Sequence, residues 1–208
     1  MIRKQPCKFL FKFLILLAVF INCLTNYHGQ LLSKYDLDTC REYQSLSEAL
    51  KSPDIVYILD LSKKKLKEFP EDILKFKNLQ KLDLYKNKLD SIPENIKYLN
   101  FLQYINIGKN NLETFPIGIT ELVKLKSLIL NQNHITSIPD NIDQLINLEY
   151  LDMWSNDLAN ISDNIKFLTR LEELDLRVII FSNDEKERIK TLLPGAKVYF
   201  SNSCNCGY

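Results

Sequence analysis

Apolar residues recur along this chain at a fixed interval of 23 positions. Between Leu79 and Phe101 they stand at Leu79, Leu82, Leu84, Leu89, Ile92, Ile96 and Leu99, with Asn87 and Pro93 between them. The same residue types return over 102–122 and 125–145, and over 148–168 with Ser162 in the proline slot. An earlier copy opens at Val56 with Lys64 in the asparagine slot; a later one opens with Leu171, Leu174 and Leu176 and then breaks. A fixed period of this size is the mark of a solenoid.

Each copy predicts the same local structure. Leu82-Asp83-Leu84 alternates with period 2 and reads as a short strand with both leucines inward. The chain then turns at Lys86-Asn87. An Asn amide carries an acceptor and donors, so it can serve backbone groups the turn leaves unpaired. Repeated at Asn87, Asn110, Asn133 and Asn156, it predicts a structural ladder. Pro93 suits irregular backbone rather than a central strand. Ile96 and Leu99 return the convex side to the core. One copy cannot bury its own apolar face, so neighbours must stack and the ends need caps.

The pattern LxxLxLxxNxLxxIPxxIxxLxx resembles the leucine-rich repeat family from about Val56 to Leu176. The resemblance implies an α/β solenoid: a horseshoe with a parallel concave β-sheet, short helical or 3-10 convex segments and helical caps. It also implies recognition of partners, usually proteins. The opening TCREYQSLSEALKSPDIVYILDLS and the ending LLPGAKVYF resemble secreted bacterial proteins of this kind.

Five regions follow. Residues 1–29 read as a signal peptide: Arg3, Lys4, Lys8 and Lys12 are basic, and an apolar run over 13–24 is broken only by Asn22. An uncleaved membrane anchor, or a lipid on Cys23, are the alternative readings. Residues 30–55 form an N-terminal cap, with Ser45-Leu46-Ser47-Glu48 as a capping box and Leu46, Ala49 and Leu50 covering the first repeat. Residues 56–176 are the repeats. Residues 177–200 form the second cap: a capping box over 182–185, a helix to about Leu193 and a closing strand over 197–200. Residues 201–208 are a flexible tail.

The side chains the repeat leaves free carry the candidate site. The outward columns of the sheet read Ile58, Lys81, Tyr104, Ser127, Tyr150, Glu173; then Asp60, Asp83, Asn106, Ile129, Asp152, Asp175; then Ser62, Tyr85, Gly108, Asn131, Trp154, Arg177. Tyr85, Tyr104, Ile129, Tyr150 and Trp154 concentrate large side chains there, with Asn106, Asn131 and Asp152 among them. Exposed Trp and Tyr on a rigid sheet are typical binding anchors, whereas the structural alternative is cross-strand packing. The expected partner is an unidentified protein. A glycan stacked on the aromatic rings, or a purely structural envelope role, are the other readings.

Composition and chemistry narrow the picture. The 208-residue chain is nearly neutral at +1, and loss of residues 1–29 removes four positive charges to leave −3. That balance argues against nucleic acid. No metal-spaced histidine pair, phosphate loop or nucleophile elbow is present, so no catalytic residue and no cofactor are assigned. The aspartates of the middle column read as a solvated acidic face, and Lys63-Lys64-Lys65 as a solvated turn, with an anionic-ligand patch as the alternative reading. Cys40, Cys204 and Cys206 remain after the signal, an odd number. Six strands at about 4.8 Å separate the two ends by roughly 25 Å, beyond the reach of a disulfide. Free or heterogeneous thiols in the tail are expected. Asn160-Ile161-Ser162 is a glycosylation acceptor only in a eukaryotic secretory path.

Overall fold

The computed structural model describes residues 29–201; all but the last residue of the 1–29 segment read above as signal, and the cysteine-bearing 202–208, lie outside the described residues. In chain order the elements are α1 (Lys34–Thr39), β1 (Glu42–Tyr43), α2 (Leu46–Ala49), β2 (Ile58–Asp60), β3 (Lys81–Asp83), β4 (Tyr104–Asn106), β5 (Ser127–Ile129), β6 (Ser137–Ile138), β7 (Tyr150–Asp152), β8 (Asn160–Ile161), β9 (Glu173–Leu176), α3 (Asn183–Leu192) and β10 (Lys197–Phe200). Eight strands make one parallel sheet in the order β1-β2-β3-β4-β5-β7-β9-β10. β6 and β8 pair separately, in parallel, beyond the turns of two adjacent repeats. The sheet has two strands more than the repeats alone supply, because each cap lays one strand on an end: β1 on β2 and β10 on β9. Those strands pair backbone groups that a terminal repeat would leave open.

Register follows the repeat. Lys81 stands opposite Tyr104, Leu82 opposite Ile105 and Asp83 opposite Asn106, and each later pair repeats this offset. Leu82, Leu84, Leu89, Ile96 and Leu99 are buried, as are their counterparts in the following repeats. They join one continuous core that reaches from Tyr43 in the first cap to Leu193 in the second.

The turn after each strand puts a residue in the left-handed region: Lys86 (φ 57°), Lys109 (φ 57°), Gln132 (φ 52°) and Ser155 (φ 56°). The next residue is asparagine. Asn110 Nδ2 donates to the carbonyls of Leu84 (3.1 Å) and Ile107 (2.9 Å), and its Oδ1 accepts from Leu89 N–H at 3.0 Å. Asn87, Asn133 and Asn156 make the same set of bonds with their own neighbours. Each amide thus ties its own turn to the repeat before it.

Five one-turn 3-10 segments form the opposite side: Glu71–Lys75, Glu94–Tyr98, Ile117–Glu121, Asp140–Gln144 and Asp163–Phe167. Prolines 70, 93, 116 and 139 precede the first four, where a missing N–H costs nothing because the first turn has no acceptor for it. Ser162 replaces proline before the fifth, and its Oγ accepts from Asn164 N–H at 3.2 Å. Gly118 is needed where two segments meet: a Cβ there would lie 2.6 Å from the Glu94 carbonyl oxygen.

The caps differ from expectation in detail. Ser45 does not cap α2 with its side chain; its Oγ meets Ser47 Oγ at 2.9 Å, and Glu48 pairs with Arg41. Ser182 Oγ does accept from Glu185 N–H at 3.1 Å, but the Glu185 carboxylate turns to Arg188 instead of reaching back. At α1 both bonds run through one hydroxyl: Ser33 Oγ accepts from Asp36 N–H and donates to Asp36 Oδ2. Residues 30–40 run beside the first strands instead of closing the end of the stack. Leu32, Leu37 and Cys40 pack with Tyr57 and Ile58 in a second, smaller apolar cluster.

Candidate interaction surface

The open face of the sheet is built by the alternation within each strand: inward leucine, outward polar or aromatic residue. Its first column is not uniformly open. Ile58, outward by periodicity, is only 5% exposed because residues 32–40 cover it. Tyr104 is half-buried and packs against the same cluster. Burial is also the main reason its phenol pKa is raised, with Glu149 and Asp38 adding to it. Tyr150, two strands further along, stands opposite Ser127 and Glu173, clear of that cluster. Its phenol is raised too, by burial first and then by Asp152, Asp175 and Glu173.

The middle column carries a role that strand alternation does not reveal. Asp60, Asp83, Asn106, Asp152 and Asp175 each accept, through Oδ1, the backbone N–H two residues on, at 2.7–3.0 Å. These bonds fix the chain where it leaves the sheet. The signal was present in the sequence: Asp or Asn precedes the turn by the same interval in five repeats, the spacing of an Asx-turn. Ile129 interrupts the row with an apolar side chain.

The second oxygens form lateral pairs. Asn131 Nδ2 donates to Asp152 Oδ2 at 2.6 Å, and Asn106 Nδ2 to Asp83 Oδ2 at 3.3 Å. Arg177 forks onto Asp175. At one end of the row the carboxylates are therefore not a solvated face: Asp152 is 7% exposed and Asp175 5%, whereas Asp60 and Asp83 are half-buried. The Asx bond draws Asp152 and Asp175 down onto the backbone, beside Asn131 and Arg177. Burial raises the pKa of Asp83 and Asp152 against the lowering effect of their backbone bonds, and Asp60 and Asp175 respectively push the same way.

In the third column, Gly108 makes room for Asn131: a Cβ at 108 would fall 2.3 Å from Asn131 Oδ1. That buried oxygen has no hydrogen-bond donor. Trp154 lies one repeat beyond Asn131, half-buried, and Tyr85 lies two repeats before it. The structure thus places Ile129, Asn131, Tyr150, Asp152 and Trp154 on adjacent repeats, on β5 and β7 or just beyond their ends. It sets Tyr85 apart at the far side of Gly108, and Tyr104 against the N-terminal segment. Among the described residues no group of three His, Cys, Asp or Glu side chains is placed to hold a metal ion.

Comparison with known proteins gives the arrangement a family. A comparison with curated protein sequences finds no match. Among solved structures, a leucine-rich repeat protein of Leptospira interrogans is 29% identical, with TM-score 0.51, covering 77% of this chain and 55% of that one. The ectodomain of the Arabidopsis thaliana receptor kinase GASSHO1/SCHENGEN3, solved in complex with CASPARIAN STRIP INTEGRITY FACTOR 2, is 26% identical with TM-score 0.56, covering 72% of this chain and 19% of that one. An internalin of Listeria monocytogenes shares the fold at 19% identity and TM-score 0.53, covering 78% and 54%. The chain spans only about half of the Leptospira protein and about a fifth of the plant ectodomain. A family model described as a leucine-rich repeat region matches residues 39–194, and the chain belongs to that family.

Proposed function

We propose that the chain is an exported or cell-surface, non-enzymatic recognition module that binds a protein partner on the concave sheet. The observation that carries this reading is the presence of Ile129, Tyr150 and Trp154 on two adjacent repeats beside the Asn131–Asp152 pair. Large, rigid side chains around a hydrogen-bonded polar pair are the usual composition of a binding centre. The plant ectodomain of the same fold was solved with a bound partner, which supports a protein ligand. The basic and apolar N-terminus supports export.

Trp154 is the single tryptophan, so its fluorescence reports directly on this face. Candidate proteins and soluble glycans are titrated against the purified chain, and a pull-down uses a Tyr150→Ala/Trp154→Ala variant as control. The expected result is capture of a protein by the wild type and loss of at least about tenfold in affinity in the variant, as for a binding hot spot. Unchanged binding by Trp154→Ala and by the double variant would remove the concave face from consideration. Quenching by a glycan alone would replace the protein partner with a sugar.

A further inference from the structure

The lysines of the first repeats make a second surface that the concave-face reading does not use. Lys63, Lys86 and Lys109 occupy the same turn position in three successive repeats. Backbone bonds stack them: Lys63 N–H donates to Tyr85 O, Lys86 N–H to Gly108 O and Lys109 N–H to Asn131 O, at 2.8–2.9 Å. Lys64, Lys65 and Lys88 stand beside them, and all six are exposed. Among the described residues none of the six forms an ion pair; the ion-paired lysines are Lys75, Lys97 and Lys190, elsewhere on the molecule.

A second observation sets these residues apart from an ordinary solvated turn. Lys63, Lys65, Lys86 and Lys109 all have φ between 57° and 61°. Left-handed backbone favours glycine or asparagine, and a lysine there is strained. The repeat needs the conformation but has no need of the charge, since Gln132 and Ser155 adopt it in the later repeats. The cations are therefore confined to one half of one rim. Two residues past the Lys65 and Lys88 position, the same repeat slot holds exposed Lys67, Asp90 and Glu113.

We propose that this rim binds a sulfated polysaccharide, lying along the solenoid axis across the turns of the first three repeats. Stacked strands place successive lysines about 4.8 Å apart, close to the length of one sugar ring in an extended chain. The two flanking columns double the charge density, which suits a densely sulfated chain over a sparsely charged one. The rim offers no exposed apolar side chain to enter a bilayer, as surface-bound membrane segments do. Tyr85, beside Lys86, is a single aromatic residue among the six lysines, too few to stack successive bases, and the whole chain is close to neutral.

The test uses the full chain on immobilised heparin and in titration with heparin in solution. The variants are Lys63→Gln/Lys86→Gln/Lys109→Gln on the rim and Lys75→Gln/Lys166→Gln/Lys190→Gln away from it. The rim variant is expected to elute at lower salt and to lose about tenfold or more in affinity, with a shallower dependence on salt. The control variant changes by less than about twofold, and Lys63→Arg/Lys86→Arg/Lys109→Arg keeps binding because the charge is kept. Circular dichroism and thermal unfolding check that each variant is folded. No binding of wild type to heparin, or equal loss in both Gln variants, overturns the assignment. So does equal or tighter binding to phosphatidylserine vesicles or to single-stranded DNA that the rim variant abolishes, since the occupant is then a membrane or a nucleic acid.

Discussion

Gln103 donates its side-chain amide to the side-chain oxygen of Gln80 at 2.8 Å, and both residues are almost wholly buried on the flank of the solenoid. They are buried because the N-terminal segment lies on them. Gln80 Oε1 accepts from Leu32 N–H at 2.9 Å and its Nε2 donates to Gln30 O at 2.8 Å, while Gln103 Nε2 donates to Leu32 O at 2.9 Å. Two stacked carboxamides thus stand in for a strand edge and serve the backbone of residues 30–32.

This arrangement sets the first prediction. Gln80→Leu removes a donor and an acceptor at once, leaving the Leu32 N–H buried without its acceptor and the Gln30 carbonyl without its donor. Each unsatisfied buried group costs about 1–3 kcal/mol. The expected outcome is a loss of at least about 1 kcal/mol and faster amide exchange confined to residues 30–40. Uniformly faster exchange would instead mean that the segment is integral to the whole stack.

Little of that segment was legible in the sequence, and the reason is physical. The repeats are legible because burial imposes a period, and every period-bearing residue from Val56 to Leu176 shows it. Residues 30–40 pack across the period rather than within it, so nothing at Leu32 or Leu37 announces a partner at Tyr57 or Tyr104. Gln80 and Gln103 occupy a position that Lys126, Glu149 and Glu172 fill in later repeats, and a polar position read alone implies solvent. Tyr104 was legible as outward, but the N-terminal segment decides how open it is. Asp152 was legible as a concave residue; its hold on the backbone through Trp154 N–H was written in the recurring Asx spacing, which strand alternation alone does not expose.

The asparagine row predicts a graded cost. Asn110→Ala withdraws the acceptor of Leu89 N–H and the donor to Leu84 O and Ile107 O. All are buried, so a loss of at least about 1–3 kcal/mol is expected in denaturant titration. The adjacent Asn111 is exposed and makes only a 3.5 Å bond to Lys88 O, so Asn111→Ala should stay within about 0.5 kcal/mol of wild type. Equal effects at the two positions would contradict the structural role of Asn110.

Two glycines separate close approach from open space. Gly118→Ala puts a methyl group against the Glu94 backbone, at 2.6 Å from its oxygen and 2.8 Å from its Cα. Backbone cannot swing aside as a side chain can, so overpacking of about 1–3 kcal/mol is expected. Gly195→Ala meets nothing within 4 Å and should leave the melting temperature almost unchanged. A Gly118→Ala protein as stable as wild type would show that the convex segments slide past one another without cost.

Asp83 gives a pH-dependent prediction with a definite sign. Burial raises its pKa above 3.8, with a further push from Asp60. A folded-state pKa above the unfolded value means that the native protein holds the proton more tightly. Stability from this group therefore falls as pH rises through the window above 3.8, and the charged form is a penalty at neutral pH. Asp83→Asn removes that charge and keeps the acceptor for Tyr85 N–H, as Asn106 shows by accepting from Gly108 N–H at the equivalent position. The variant should be at least as stable as wild type at neutral pH. Its advantage should shrink as pH falls toward 3.8, because the wild-type carboxyl then becomes neutral as well. Paired urea titrations across that range read the difference directly. A variant less stable at neutral pH, with a deficit that closes on acidification, would mean that the Asn106–Asp83 bond at 3.3 Å outweighs desolvation.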